Sequence, residues 1–283
     1  MFKLQSTPKK VVKSILFYLL LLVIGFLIVL PIISVIGTAF KGKAEILTNN
    51  NLFPHQFTLE NFYRVFETTP FLLYVKNSVL IAVSASLIVA VFSCLAGYAI
   101  SRYSRRIRFF RYYSSLFLIL QMFPGVLVLI PLVLVFTQVH LNDTVLGLTI
   151  IYISSNIPFC TWLISGFFDG IPIEMEEAGQ IDGCNVFQTF IKLVVPLSKP
   201  GIASIIIFTF IGCWNEFMTA NIFLKTQEMK TIPVGLQAFI QQFTTEWGSL
   251  MAASSIALIP ILFFLIFMQK YIVAGLTSGA VKG

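Results

Sequence analysis

The chain has 283 residues, 57% of them hydrophobic and only 11% charged, with a mean hydropathy of +0.90. That composition excludes an ordinary soluble domain and predicts a polytopic, all-α integral membrane protein. The formal net charge of +7 does not imply a nucleic-acid partner, because in a bilayer protein the placement of basic residues decides more than their sum.

Lys3, Lys9, Lys10 and Lys13 precede an apolar run over 14–40. The run exceeds the ~20 residues that cross a ~30 Å hydrocarbon core and the ~7–15-residue apolar part of a signal peptide, so it is expected to span. Residues 41–70 are polar and aromatic, with Asn49-Asn50-Asn51 and Phe53-Pro54, and read as an extramembrane loop carrying one short helix. A second span is expected over 71–100, where Ala82, Ser84, Ala85, Ser86, Ala96 and Gly97 would let helices approach closely. Arg102, Arg105, Arg106, Arg108 and Arg111 follow as a topology anchor facing anionic headgroups. The third span, 112–137, holds Gln121, Pro124-Gly125 and Pro131, so its freed carbonyls must face protein or a water-filled cavity. The fourth, 144–168, carries Tyr152, Asn156, Pro158 and Trp162. The fifth, 202–223, contains Trp214-Asn215-Glu216-Phe217, and the sixth, 249–272, contains Pro260.

Between the fourth and fifth spans, residues 169–201 form the one long break in the second half that is rich in acid, Gly and Pro. Asp169-Gly170 and then Pro172 predict a helix start, with Asp169 as cap and Glu174, Glu176 and Glu177 in a first turn where the helix dipole favours negative charge. Asp182-Gly183 should stop that helix, and Asn185 with Gln188 should start another that ends at Pro196. With six spans, most of the 19 basic residues share one side: the amino end, the Arg cluster, Lys192, Lys199, Lys270 and Lys282. The positive-inside bias therefore places both termini and the acidic loop in the cytoplasm.

Glu177-Ala178-Gly179, then Gly183, then Leu193-Val194-Val195-Pro196 resembles the EAA loop of permease subunits of ATP-driven, binding-protein-dependent importers, the ABC importers. Two positions depart from that pattern, Gly179 for the second Ala and Cys184 for an aliphatic residue. Farther on, Trp214-Asn215-Glu216-Phe217, Thr231-Ile232-Pro233-Val234-Gly235-Leu236, Glu246-Trp247-Gly248 and Gly275-Leu276-Thr277-Ser278-Gly279 are similar to the carbohydrate-uptake branch, maltose importers included. The resemblance implies an ABC transmembrane type-1 fold over 71–272, preceded by an amino-terminal segment, first span and outer loop (1–70) and followed by a cytoplasmic tail (273–283). It implies a multi-pass subunit of the bacterial cytoplasmic membrane that forms half of a sugar translocation path. Its partners would be a second, similar permease, two ATPase subunits and an extracytoplasmic solute-binding protein. Glycerol phosphate or another polyol derivative is the nearest alternative cargo.

No GxxxxGK, HExxH, GxSxG or paired-aspartate motif is present, and the only two histidines, His55 and His140, fall in outward loops. The four cysteines lack CxxC spacing, so neither a disulfide nor a metal site is expected. The chain is therefore expected to be no enzyme and to bind no cofactor, with ATP and Mg used by the partner ATPase. The resemblance assigns ATPase coupling to Glu176, Glu177, Ala178, Gly179, Asp182 and Gly183. Glu216 stands alone as an intramembrane acid, which costs about 2.5–3.5 kcal/mol at mid-helix and so faces a cavity or a neighbouring helix. Two roles stay open for it: lining a sugar path or permease interface with Trp214, Asn215 and Phe217, or holding helices together. Tyr152, Asn156 and Gln121 carry the same two readings. A self-sufficient ion-coupled carrier would call for several buried acids or an inverted repeat, and the sequence displays neither.

Overall fold

A computed structural model describes residues 8–49, 51–104, 112, 116, 119, 125–240 and 245–280. Among these residues the fold is helical, with one isolated antiparallel bridge between Ile240 and Thr245. Four helices are long and apolar enough to cross a membrane: Val12–Ala39, Phe71–Tyr103, Val145–Asp169 and Trp247–Gln269. The pair Val186–Leu197 and Lys199–Asn215, bent by 77°, makes a fifth if counted as one span. Of the expected third span, the helix Gly125–Gln138 is described, while Gln121 and Pro124 lie outside the described residues, as do Arg105, Arg106, Arg108 and Arg111.

The chain divides into two units, residues 1–69 with 239–256 and residues 70–238 with 257–283. In the first, α1 (Pro8–Ala39) is followed by two short helices, α2 (Lys43–Thr48) and α3 (Glu60–Thr68), where the sequence suggested one. Asn61 holds the crossing by donating Nδ2 to the carbonyls of Ala39 (2.9 Å) and Lys41 (2.8 Å). Phe40 stacks on Phe57 with ring centroids 4.6 Å apart. Lys41 is buried, and its ammonium donates to the carbonyls of Asn49 and Asn51. The Asn-rich stretch thus supplies backbone acceptors to a buried cation.

The second unit is built on α4 (Phe71–Tyr103), which packs against α6 (Val145–Asp169) and α9 (Lys199–Asn215). The inward stripe of α4 is made of small residues, Ser78, Ala82, Ser86, Ala90 and Cys94, spaced by four, while Leu80, Leu87, Val91 and Leu95 face outward. Lipid offers no hydrophobic drive between helices, so close backbone approach and dispersion hold such a crossing. Gly97 marks the tightest point: a Cβ there would lie 2.6 Å from Ile164 Cγ2 and 3.2 Å from the Thr161 carbonyl. Ile164, Phe168, Phe190, Val194 and Ile205 complete the core at this end.

Thr144 caps α6 by accepting from the Gly147 amide at 2.9 Å. The turn before it, after α5 (Gly125–Gln138), holds His140 and Asp143 at positive φ (55° and 56°). Asp143 is fixed there because its carboxylate accepts from the Lys225 amide (2.7 Å), the Thr226 amide and the Thr226 hydroxyl. Burial pushes this carboxyl up, but the hydrogen bonds from Thr226 and Lys225 outweigh burial and hold it below the usual carboxylate value. The segment 225–232 is tied from the other side by Asn77, which donates to the carbonyls of Glu228 (2.8 Å) and Lys230 (3.1 Å), and by Ser78, which accepts from the Ile232 amide.

Candidate functional site: the acidic loop and its joint with the bundle

Between α6 and α9 lie α7 (Ile173–Ile181) and α8 (Val186–Leu197). Asp169 does not cap α7, as its place in the sequence suggested. It is the last residue of α6, and its carboxylate accepts from the Ser101 hydroxyl at 2.5 Å. Pro172 occupies the cap position instead, without a side-chain hydrogen bond.

The stop signal at Asp182-Gly183 is a Schellman ending. The Cys184 amide donates to the Gly179 carbonyl and the Gly183 amide to that of Gln180, both at 3.0 Å. Gly183 takes φ +91°, a left-handed value that costs other L-residues about 1–2 kcal/mol. Gly183→Val should lower thermal stability in detergent by about that amount, and Gly183→Asn by less, since Asn tolerates this region. Immediately after, Asn185 accepts from the Gln188 amide (2.8 Å) while Gln188 accepts from the Asn185 amide (3.0 Å), a complete capping box. α8 does not end at Pro196. A π-helical stretch, Phe190–Val194, widens the turn, so the helix continues through Pro196 to Leu197 before the chain bends at Ser198.

The six residues expected to couple fall on two faces. Glu177, Ala178, Asp182 and Gly183 are exposed, alongside Ile181 at 86% exposure and Phe187 at 62%. Glu176 and Gly179 face inward. Gly179, one of the two departures from the EAA pattern, packs closely on α8: a Cβ would lie 2.6 Å from Leu193 Cδ1, so that side chain would have to shift.

Glu176 is only 4% exposed, because it is claimed by α4. Arg102 places Nε and Nη2 each 2.6 Å from Glu176 Oε1, and Tyr98 donates its hydroxyl to Oε2 at 2.6 Å. Arg102 Nη2 also reaches the Ile171 carbonyl at 3.2 Å, and Nη1 donates to the Ser101 hydroxyl at 2.9 Å. Tyr98 is in turn wedged against Phe190, with ring centroids 4.7 Å apart. Sequence reasoning placed Arg102 in a topology cluster and passed over Tyr98. The signal was present: 90, 94, 98 and 102 continue the inward stripe of α4 at helical spacing.

The second constellation is a break in the fifth span. α9 stops at Asn215, Glu216 and Phe217 are not helical, and α10 (Met218–Phe223) resumes. The expected continuous span over 202–223 is interrupted because the Glu216 carboxylate serves α10: it accepts from the amides of Thr219 (2.7 Å) and Ala220 (3.1 Å). Tyr152 of α6 donates to the same carboxylate at 2.5 Å. Asn156 and Asn215 donate within their own helices, to the carbonyls of Tyr152 (2.8 Å) and Ile211 (3.1 Å). Trp214 is buried and stacked on Phe210, while Phe217 is open.

Residues 90–278 match the family described as the binding-protein-dependent transport system inner membrane component. The chain belongs to this family. Among full-length relatives of the permease, the maltodextrin transport system permease protein MdxG of Bacillus subtilis is 34% identical over 99% of this chain and 100% of its own. The trehalose/maltose transport system permease protein MalG of Thermococcus litoralis is 34% identical over 97% and 99%. A solved bacterial ABC transporter involved in import of the acidic polysaccharide alginate shares the fold, with a TM-score of 0.79 over 94% of this permease and 99% of that chain at 22% identity.

Proposed function

We propose that this permease forms half of the translocation path of an ATP-driven, binding-protein-dependent importer of oligosaccharides in the bacterial cytoplasmic membrane. The observation that carries the reading is the full-length similarity to permeases named for maltodextrin and trehalose/maltose transport. In this reading six spans place both termini in the cytoplasm. A second permease completes the pore, two ATPase subunits use ATP and Mg, and a solute-binding protein delivers sugar to the outer loops.

The 169–201 loop receives an ATPase subunit. Support comes from the exposed residues of α7, the turn after it and the start of α8: Glu177 and Asp182 offer acids to a basic cleft, and Ile181 and Phe187 offer apolar side chains to its floor. The Schellman ending and capping box make the α7–α8 turn stiff enough to be pushed, and closure of two ATPase subunits then turns the membrane helices as a two-state element.

Glu177→Lys should abolish ATP-dependent uptake into vesicles while leaving the protein in the membrane. Uptake that proceeds normally in that variant, or that follows an imposed ion gradient with no ATPase present, would overturn the reading.

A further inference from the structure

We propose that Tyr98, Arg102 and Glu176 form a buried joint that makes α7 and the end of α4 move as one body. The proposal deepens the reading of α7 as the ATPase-coupling helix and rests on it. α7 has nine residues and carries its partner-facing groups on the outer side. Among the described residues its inward side has two kinds of attachment. One is apolar, Gly179 against Leu193 of α8. The other is the Glu176 carboxylate, gripped through Oε1 by the Arg102 fork and through Oε2 by Tyr98.

These attachments respond differently to a push. Apolar surfaces slide past one another with little change in free energy, whereas separating a desolvated ion pair, here two guanidinium N–H groups on one carboxylate oxygen, strands two charges at once. The same guanidinium reaches Ile171, between α6 and α7, and through Ser101 its network continues to Asp169 at the end of α6. The last turn of α4 therefore grips the end of α6, the connecting residue and α7 together. A tilt of α7 is passed to α4 and α6.

The test uses the complete importer, with its partner permease, ATPase subunits and binding protein, in proteoliposomes. Uptake is followed with labelled maltotriose, trehalose or diacetylchitobiose, whichever the unsubstituted complex accumulates. Glu176→Gln and Arg102→Lys should each lower sugar carried per ATP hydrolysed by about 5-fold or more, the size of an ordinary coupling energy. The exchange variant, Glu176→Arg with Arg102→Glu, should recover most of that ratio. A second measurement needs no sugar: spin labels at Glu174→Cys and Leu95→Cys, both exposed positions, in a chain whose four native cysteines are replaced. Their distance should keep one narrow distribution with and without a non-hydrolysable ATP analogue, and Glu176→Gln should split or broaden it. An unchanged ratio and an unchanged distance in Glu176→Gln would overturn the joint. So would a loss of uptake and hydrolysis in strict proportion, which marks a merely structural pair. Retained ATPase docking and uptake in Glu177→Lys would instead overturn the docking reading.

Discussion

Replacing Arg102 by Ala should destabilise the purified permease by about 3–5 kcal/mol, the usual penalty for removing one partner of a buried ion pair. The side chains of Arg102 and Glu176 are 10% and 6% exposed, so the stranded carboxylate cannot simply turn to water. The variant also deprives the Ile171 carbonyl of its donor from Arg102 and the Ser101 hydroxyl of a donor. Tyr98 keeps one hydrogen bond on Glu176, which limits the loss without cancelling it. Thermal unfolding in detergent measures the effect, and proteolysis locates it, since residues 173–183 should become the first cut site. An unfolding temperature equal to that of the unsubstituted chain would mean that the pair contributes no net stability.

Glu216→Leu should cost a comparable amount, about 3 kcal/mol or more. The reason is acceptor loss: the Tyr152 hydroxyl and the amides of Thr219 and Ala220 all donate to this carboxylate, and each donor left without a partner costs about 1–3 kcal/mol. Gln at the same position keeps an acceptor oxygen and should lose far less. The pair of variants separates the two readings left open for Glu216. If the group holds the break between α9 and α10, Leu lowers the unfolding temperature sharply and Gln only slightly, with uptake falling in the same order. If it touches sugar, Gln keeps its stability and loses uptake.

The chain alone determined its solvent and much of its local geometry. Apolar runs longer than a bilayer is thick forced helices, and the stop at Gly183 and the capping box of Asn185 and Gln188 were legible because each is settled within about six residues. The EAA-like pattern was legible for the same reason, as a short ordered motif on one loop. Tertiary structure alone decided what the acids do. Glu176 meets Arg102 and Tyr98 across 74 and 78 residues, Asp169 meets Ser101 across 68, and Glu216 meets Tyr152 across 64. A carboxylate in a first helical turn looks alike in sequence whether it faces water or a guanidinium. Helix packing decides that, because the last turn of α4 brings a fixed cation to one face of α7 and leaves the other open.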